Sequence, residues 1–349
     1  MYLGKRYNTM SGEINELELL KNHMQILLER SDFDSSLNHC IENAFHLCEQ
    51  VDKKEIEGTN TVTHCYFLLP NSQKSDCDYE SLAEKMFDAL VDYVIPRSKI
   101  QEADGLAVNF SKLQRIARKK FIDFWVYKKK LLDEKKISPT DFRRSGEGGE
   151  VLLFLLSEQI LKLPQAICKM SFKTSGDMPI HGSDGIHIGL TEDGTKLALY
   201  YGEAKVHADL NEAIRDCVTS ITPFLLKESD ENDLFLLNTY CDFGNSDIEK
   251  SLKEKLKIYF DKEHRKYKLC TDIRGICLVA FNDKDSYSFN DIQDTSRKVT
   301  EASEKWINKF IVKVKENKLE QIVINVFFIP MSSVDAFRSS FARIVGGQL

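Results

Sequence analysis

Two stretches of the chain, Pro179-Ile-His-Gly-Ser-Asp-Gly-Ile-His187 and Tyr200-Tyr-Gly-Glu-Ala-Lys-Val206, decide the fold of its second half. The first leads into a predicted β-strand that begins beside Asp184, and the second ends a predicted β-strand with Glu203 and Lys205. Because side chains alternate between the two faces of a strand, Glu203 and Lys205 share one face. If the two strands pair as a hairpin, Asp184 lies beside Glu203.

This grouping of acids and a lysine suits metal-dependent chemistry on phosphates. Asp184 and Glu203 can hold a hard divalent cation such as Mg²⁺, which prefers oxygen ligands. Such a cation activates a water and neutralises charge on a phosphate, while Lys205 can orient that water or contact the phosphate. Glu150 supplies a third carboxylate, and Glu147 lies on nearly the same helical face. We favour Glu150 because it directly precedes an apolar helix, but the residues alone leave both open.

The elements around this grouping follow the order α-β-β-β-α. The core elements are a helix over residues 151–163, strands over 166–174, 185–190 and 197–206, and a helix over 209–226. Beyond them we predict a helix over 248–260, a strand over 274–281, a helix over 296–314, a strand over 321–329 and a helix over 332–345. The sequence therefore predicts an α/β domain over residues 141–349, with a mixed sheet flanked by helices.

The first part of the chain, residues 1–140, is predicted to be a mainly helical region that docks a partner or guides DNA. Helices are expected over residues 17–28, 37–47, 81–94 and 110–131, where apolar residues recur at helical spacing. The run Thr61-Val-Thr-His-Cys-Tyr-Phe-Leu-Leu69 is rich in residues that favour strands and is followed by Pro70, so it predicts a strand.

Composition excludes several classes of protein. Hydrophobic residues make up 42% of the 349 residues, which is enough for a packed core, and 7 Pro with 17 Gly leave little room for a long linker. No window approaches the roughly 18 consecutive apolar residues of a membrane helix. The nine Cys form no CxxC pair, and the start of the chain lacks the apolar core of a secretion signal. We therefore expect a cytoplasmic protein with reduced thiols and no membrane association.

A basic segment interrupts an otherwise acidic chain. Residues 112–144 contain twelve basic and four acidic side chains, although the whole chain carries a net charge of −6. Such a segment can attract a polyanion locally, and a solvated helix face is an equally good interpretation. The candidate DNA-binding residues are Lys119, Lys120, Lys128 and Lys129 in this segment, together with Lys173 and His207.

Other kinds of site fit the sequence less well. His181 and His187 flank Asp184, but zinc requires three or four convergent ligands. Ser183, His181 and Asp184 could form a hydrolytic triad, yet the sequence has no G-x-S-x-G turn around a nucleophilic serine. It also has no GxxxxGK[ST] loop, so we expect no bound nucleotide, and any control by ATP must come through a partner.

Several segments resemble the HamA family, the nuclease subunits of the Hachiman anti-phage defence system. They are Gly146-Glu-Gly-Gly-Glu150, Leu163-Pro-Gln-Ala-Ile-Cys-Lys-Met-Ser-Phe-Lys-Thr-Ser175, Met178-Pro-Ile-His-Gly-Ser-Asp-Gly-Ile-His187, Tyr201-Gly-Glu-Ala-Lys205 and Phe327-Phe-Ile-Pro-Met331. The clear similarity covers about residues 145–225, and a weaker one continues to about residue 340.

The resemblance implies a PD-(D/E)xK nuclease with a restriction-endonuclease-like core, which degrades DNA beside a superfamily-2 helicase, HamB. Carried over by motif, Asp184, Glu203 and Lys205 are the catalytic positions and Glu150 is the helix acid. The implied cofactor is Mg²⁺, for which Mn²⁺ is expected to substitute. The first acid stands in Ser-Asp-Gly rather than Pro-Asp, a departure that leaves the type of ligand unchanged.

Two alternatives stay open. A noncatalytic adaptor with a nuclease-like fold would bind a helicase or nucleic acid without cleaving it, and the intact Asp184, Glu203 and Lys205 argue against that hypothesis. Cleavage of RNA instead of DNA would use the same residues, because a metal site of this kind recognises only the phosphodiester.

Overall fold

The computed structural model describes much of the chain from residue 45 onwards. The described residues are 22, 45–54, 62–70, 72–73, 76–105, 110–138, 146–171, 182–226, 241–242, 250, 253–254, 256–258, 261, 263–264, 271–287 and 292–345. The strands are β1 (Phe45–Lys54), β2 (Val62–Pro70), β3 (Ser72–Gln73), β4 (Asp76–Cys77), β5 (Gly185–Leu190), β6 (Leu197–Val206), β7 (Thr271–Asn282) and β8 (Ile324–Met331). The helices are α1 (Tyr79–Asp88), α2 (Leu90–Val94), α3 (Arg97–Gly105), α4 (Phe110–Asp133), α5 (Glu147–Gln159), α6 (Leu210–Leu226), α7 (Ile292–Glu316) and α8 (Val334–Val345), and short 3-10 turns span Lys169–Ser171 and Asp285–Tyr287.

Six of these strands form one mixed sheet in the order β1-β2-β8-β7-β6-β5. The inner strands β2, β8, β7 and β6 run parallel to one another, whereas β1 and β5 pair antiparallel at the edges. All 8 residues of β8 are buried, as expected of a parallel strand that helices cover on both faces. The mixed α/β architecture predicted from the sequence is confirmed.

Pairing between distant strands decides the conformation before residue 70. The strand predicted over residues 61–69 is confirmed as β2, which pairs with both β1 and β8. The helix predicted over residues 37–47 is wrong at its end, because Phe45 and Leu47 belong to β1, opposite Pro70 and Leu68. The spacing of apolar residues in β1 could not predict this strand, because β1 is stabilised by pairing with the neighbouring strand β2. The helix predicted over residues 17–28 lies outside the described residues, apart from Asn22.

The first strand predicted for the second half, over residues 166–174, does not form in the described part of that segment. Gln165 makes an isolated bridge with His187, and the chain then turns through Lys169–Ser171. Lys169 is buried there, and its Nζ donates to the Ser183 carbonyl oxygen at 2.5 Å. The side chain of Lys169 therefore points inward to Ser183 and does not lie on the face of a strand.

The remaining predicted elements of the second half are largely confirmed, with small shifts at their ends. They are α5, β5, β6, α6, β7, α7, β8 and α8. The helix predicted over residues 248–260 lies mostly outside the described residues, although 253–254 and 256–258 are helical. Within the described chain, no helix is both long and apolar enough to cross a membrane.

The helices of the first part pack directly on the second part. Tyr79 Oη lies 3.0 Å from Ser332 Oγ, and the Phe121 and Phe341 rings meet edge to face at 6.1 Å. Because β2 also pairs with β8, the sheet and its core extend across residue 140, the predicted boundary between the two regions. The first part is helical over α1 to α4, as predicted, but its strands β1 and β2 belong to the central sheet.

Candidate active site

The β5–β6 hairpin brings the first acid of the predicted site beside the second. Gly185 lies opposite Gly202, so Asp184 continues the ladder next to Glu203. The Asp184 backbone N–H donates to the Gly202 carbonyl oxygen at 2.8 Å, and Asp184 Oδ2 accepts the Ala204 N–H at 2.9 Å. The predicted pairing of the two strands is confirmed, and these bonds fix the direction of the Asp184 carboxylate.

Glu203 and Lys205 form an ion pair on one face of β6, as the alternation of side chains predicts. Lys205 Nζ lies 2.5 Å from Glu203 Oε1, with Glu203 buried and Lys205 partly exposed. Burial raises the pKa of Glu203, and the neighbouring lysine opposes that rise. Burial lowers the pKa of Lys205, but the Glu203 carboxylate outweighs burial and the pKa is raised. Lys205 therefore stays a cation at the edge of the site.

The two candidate acids in the first turn of α5, Glu150 and Glu147, have different partners. Glu150 Oε2 accepts a hydrogen bond from the Tyr93 hydroxyl at 2.9 Å, and Glu150 contributes to the raised pKa of both Asp184 and Glu203. Glu147 is buried, and its Oε1 lies 2.6 Å from Lys128 Nζ on α4. Glu150 thus interacts with the acids of the hairpin, whereas Glu147 pairs with a cation of α4.

The pKa of the Asp184 carboxyl group is strongly raised. Burial raises its pKa to about 8, and the Glu150 and Glu203 carboxylates add to the rise. Close carboxylates that resist ionisation together are typical of a site that a cation completes. Among the described residues, no three His, Cys, Asp or Glu side chains converge as a complete set of metal ligands. A pair of carboxylates is nevertheless enough for Mg²⁺, which usually keeps several waters.

Two further residues of the cluster are not part of the sequence motif. Lys169 is buried, and its charge lowers the pKa of Glu203 against the effect of burial. Tyr93 comes from α2, far earlier in the chain, and burial raises its pKa well above the ordinary value, so that its hydroxyl stays a donor. No local pattern identifies Tyr93. The lysine in Cys168-Lys-Met-Ser171 is visible in the sequence, but the strand predicted there would place it on a sheet face.

A family model for HamA matches residues 41–345, nearly the whole chain. The chain belongs to the HamA family. This family is a component of the Hachiman defence system. A comparison of the sequence with curated proteins found no match.

In this HamA-family chain the candidate DNA-binding lysines differ in their surroundings. Lys119 and Lys129 are exposed on α4 and Lys120 is partly buried, with Lys119 Nζ 2.6 Å from Asp123 Oδ2. Lys128 instead pairs with Glu147 and lies 4.9 Å from the centre of the Phe124 ring. His207 Nε2 lies 3.4 Å from Asp216 Oδ2, and Lys173 lies outside the described residues.

The geometry does not support the zinc site or the serine hydrolase site that the sequence of this HamA-family chain also allowed. His187 is fully buried, its Nδ1 lies 2.9 Å from the Leu163 carbonyl oxygen, and burial lowers its pKa. Ser183 is also buried, and its hydroxyl donates to the Gly185 carbonyl oxygen at 3.0 Å. These contacts make His187 and Ser183 structural residues, whereas His181 lies outside the described residues.

Proposed function

We propose that this HamA-family chain is a metal-dependent DNA endonuclease of the PD-(D/E)xK type, which acts when a partner helicase releases or activates it. The observation that carries the proposal is the position of Asp184 beside the Glu203–Lys205 pair at the end of a buried hairpin. Burial and, after it, the Glu150 and Glu203 carboxylates raise the pKa of Asp184 to about 8. This supports a cation site, because a bound cation would favour the ionised form of this buried acid.

The chemistry of the donors fits Mg²⁺, or Mn²⁺ in its place. Asp184 and Glu203 offer carboxylate oxygens, which are the ligands that these hard cations prefer, and Glu150 is the proposed third donor. When bound, the metal activates a water and neutralises charge on the scissile phosphate. Lys205 pairs with Glu203, which favours the ionised form of that carboxyl group against the effect of burial, and keeps a positive charge where a phosphate oxygen would lie.

The basic face of α4 supports DNA as the substrate. The Lys128–Glu147 pair joins α4 to α5, three residues before Glu150, so the helix that carries the cations is attached to the helix that carries the acid. The solvent-facing side of α4 presents Lys119, Lys129 and other cations around the exposed Tyr127. Contacts of this kind give salt-dependent binding without sequence preference.

We propose a superfamily-2 helicase, HamB, as the partner, which the resemblance supports. The sequence has no GxxxxGK[ST] loop, so any control by ATP would come through such a partner. A nonspecific nuclease would damage the DNA of its own cell, so control by an ATP-dependent partner is consistent with this chemistry.

The direct test is cleavage of plasmid and linear DNA, and of RNA in parallel, with Mg²⁺ in the presence and absence of HamB and ATP. We expect cleavage by the wild type and its loss in Glu203→Gln and Lys205→Met. Glu304→Gln, at an exposed position of α7, is the matched control and should cleave normally. Equal cleavage by all variants would place the activity elsewhere.

The adaptor hypothesis predicts a different outcome of the same experiment. A noncatalytic chain would show no cleavage even with HamB and ATP, and Mg²⁺ or Mn²⁺ would not change its melting temperature. A metal site in the folded state raises the melting temperature with metal concentration, because the ligand binds only that state. Cleavage of RNA alone would redirect the proposal to that substrate.

The role of α4 is tested by charge reversal. Lys119, Lys120 and Lys129 are changed to Glu, while Lys128 is left intact because it pairs with Glu147. If each of the three lysines neutralises one phosphate, the variant should bind more weakly, and the dependence of log Kd on log salt should fall by about three. The matched control reverses Lys298, Lys305 and Lys315 on α7. An unchanged salt dependence in the α4 variant would exclude this helix as the path of DNA.

A further inference from the structure

Tyr93 connects the first part of the chain to the acidic cluster. It lies on α2, it is buried, and its hydroxyl donates to Glu150 Oε2 at 2.9 Å. The charge of Asp184 also acts on this hydroxyl. Tyr93 is therefore a contact between α2 and the Glu150 carboxylate of α5.

Packing on several sides fixes the position of the Tyr93 ring. Its centre lies 5.4 Å from that of Phe154 on α5 and 6.2 Å from that of Phe121 on α4. The backbone is also held, because the Cys168 thiol donates to the Tyr93 carbonyl oxygen at 3.2 Å. A ring held in this way presents its hydroxyl in one direction, and its hydrogen bond restricts the rotation of the Glu150 carboxylate.

We infer that Tyr93 is a positioning residue of the nuclease site, which holds the Glu150 carboxylate in the orientation needed for metal binding. The inference rests on the proposed metal-dependent function. Groups that hydrogen-bond a metal ligand from behind orient it, and their loss typically lowers metal affinity or activity about 10- to 100-fold. The first 140 residues would then complete the active site in addition to any role in docking.

The variant that tests this inference is Tyr93→Phe, which removes the hydroxyl and keeps the ring. Tyr79→Phe is the matched control. Tyr79 is also buried, and its hydroxyl bonds Ser332 Oγ at 3.0 Å and the Ser333 N–H at 2.9 Å instead of an acid of the cluster. Both variants lose a buried hydroxyl, so the stability lost by each is compared directly by thermal unfolding.

The decisive measurement is the Mn²⁺ or Mg²⁺ concentration that gives half of the maximal increase in melting temperature. The concentration that gives half-maximal DNA cleavage by the full chain with HamB is measured in parallel. We expect Tyr93→Phe to raise this concentration about 10- to 100-fold. Tyr79→Phe should leave it unchanged. Equal metal dependence in Tyr93→Phe and wild type would overturn the inference.

A double-mutant cycle separates positioning of Glu150 from a general loss of stability. If Tyr93 acts through Glu150, Tyr93→Phe should have no further effect on metal dependence in a Glu150→Gln background. Additive effects would contradict the inference. The proposed function is tested separately. If the wild type neither cleaves DNA nor responds to metal, both the proposed function and the role of Tyr93 are overturned. If the wild type shows both responses and Glu203→Gln shows neither, only the role of Tyr93 is left for the cycle to decide.

Discussion

Lys169 is a cation buried next to the acidic end of the hairpin. Its Nζ donates to the carbonyl oxygen of Ser183 at 2.5 Å and to Ser183 Oγ at 3.2 Å, directly before Asp184. Burying a lysine is costly unless nearby acids and acceptors compensate. The acceptors on Ser183 and the negative charge of Glu203 provide that compensation. Lys169 therefore both holds the turn that carries Asp184 and balances the charge of the cluster.

Lys169→Met is expected to destabilise the protein and to reduce cleavage. The change keeps an unbranched side chain but leaves the buried oxygens of Ser183 without their donor, at a cost of about 1–3 kcal/mol. Urea unfolding of the full chain measures this loss. Lys196→Met, an exposed lysine in the turn of the same hairpin, is the control and should lie within about 0.5 kcal/mol of wild type. Equal stability of the two variants would mean that the buried lysine holds nothing in place.

At the scale of elements, the approach of α5 to β6 positions Glu150. A Cβ atom at Gly149 would lie 3.0 Å from Val206 Cγ2 and 3.4 Å from Ala204 Cβ. Gly202, on β6, is similarly close to Leu153 of α5, because a Cβ there would lie 2.9 Å from Leu153 Cδ2. The glycines let the helix lie against the strand, and the first turn of α5 thereby brings its acid to the hairpin.

Gly149→Val should displace the first turn of α5 and with it Glu150. The added methyl groups overpack the contact with β6, which typically costs about 1–3 kcal/mol. We expect a lower melting temperature and a loss of cleavage larger than that of equally destabilised variants elsewhere. Gly146→Ser is the control, since a Cβ at Gly146 meets no atom within 4 Å and serine is favoured at the start of a helix. Wild-type cleavage by Gly149→Val would show that the close approach is not needed.

At the scale of the whole molecule, the first and second parts of the chain share one sheet and one core. β2 pairs in parallel with β8, and the Phe67 and Phe328 rings stack across that pair at 5.3 Å. Arg343 of α8 also lies 2.9 Å from Glu80 of α1. Removing the first part would expose β8 as a mostly apolar edge strand, which is prone to aggregate.

We therefore expect a fragment of residues 141–349 to be unable to fold alone, despite containing the whole sequence motif. The measurement is circular dichroism with thermal unfolding of the purified fragment beside the full chain. Cooperative unfolding of the fragment near the melting temperature of the full chain would instead support two independent domains divided near residue 140.

Contiguous residues alone are enough to predict the β5–β6 hairpin and the grouping of Asp184, Glu203 and Lys205. These predictions use local properties of the sequence: the alternation of side chains, a glycine after Asp184 and the apolar runs of β7 and β8. Such properties determine strand conformation and burial directly. The same information supports the α/β fold class and the apolar helix that follows Glu150.

Contacts between distant parts of the chain give Glu147 and Glu150 different partners, bury Lys169 and bring Tyr93 to Glu150. They also place β1 and β2 in the central sheet instead of a separate helical region. Each of these outcomes depends on a partner far along the chain, such as Lys128 for Glu147 or β8 for β2. Local propensity does not encode such partners, because packing and the need to pair buried polar groups select them when the whole chain folds.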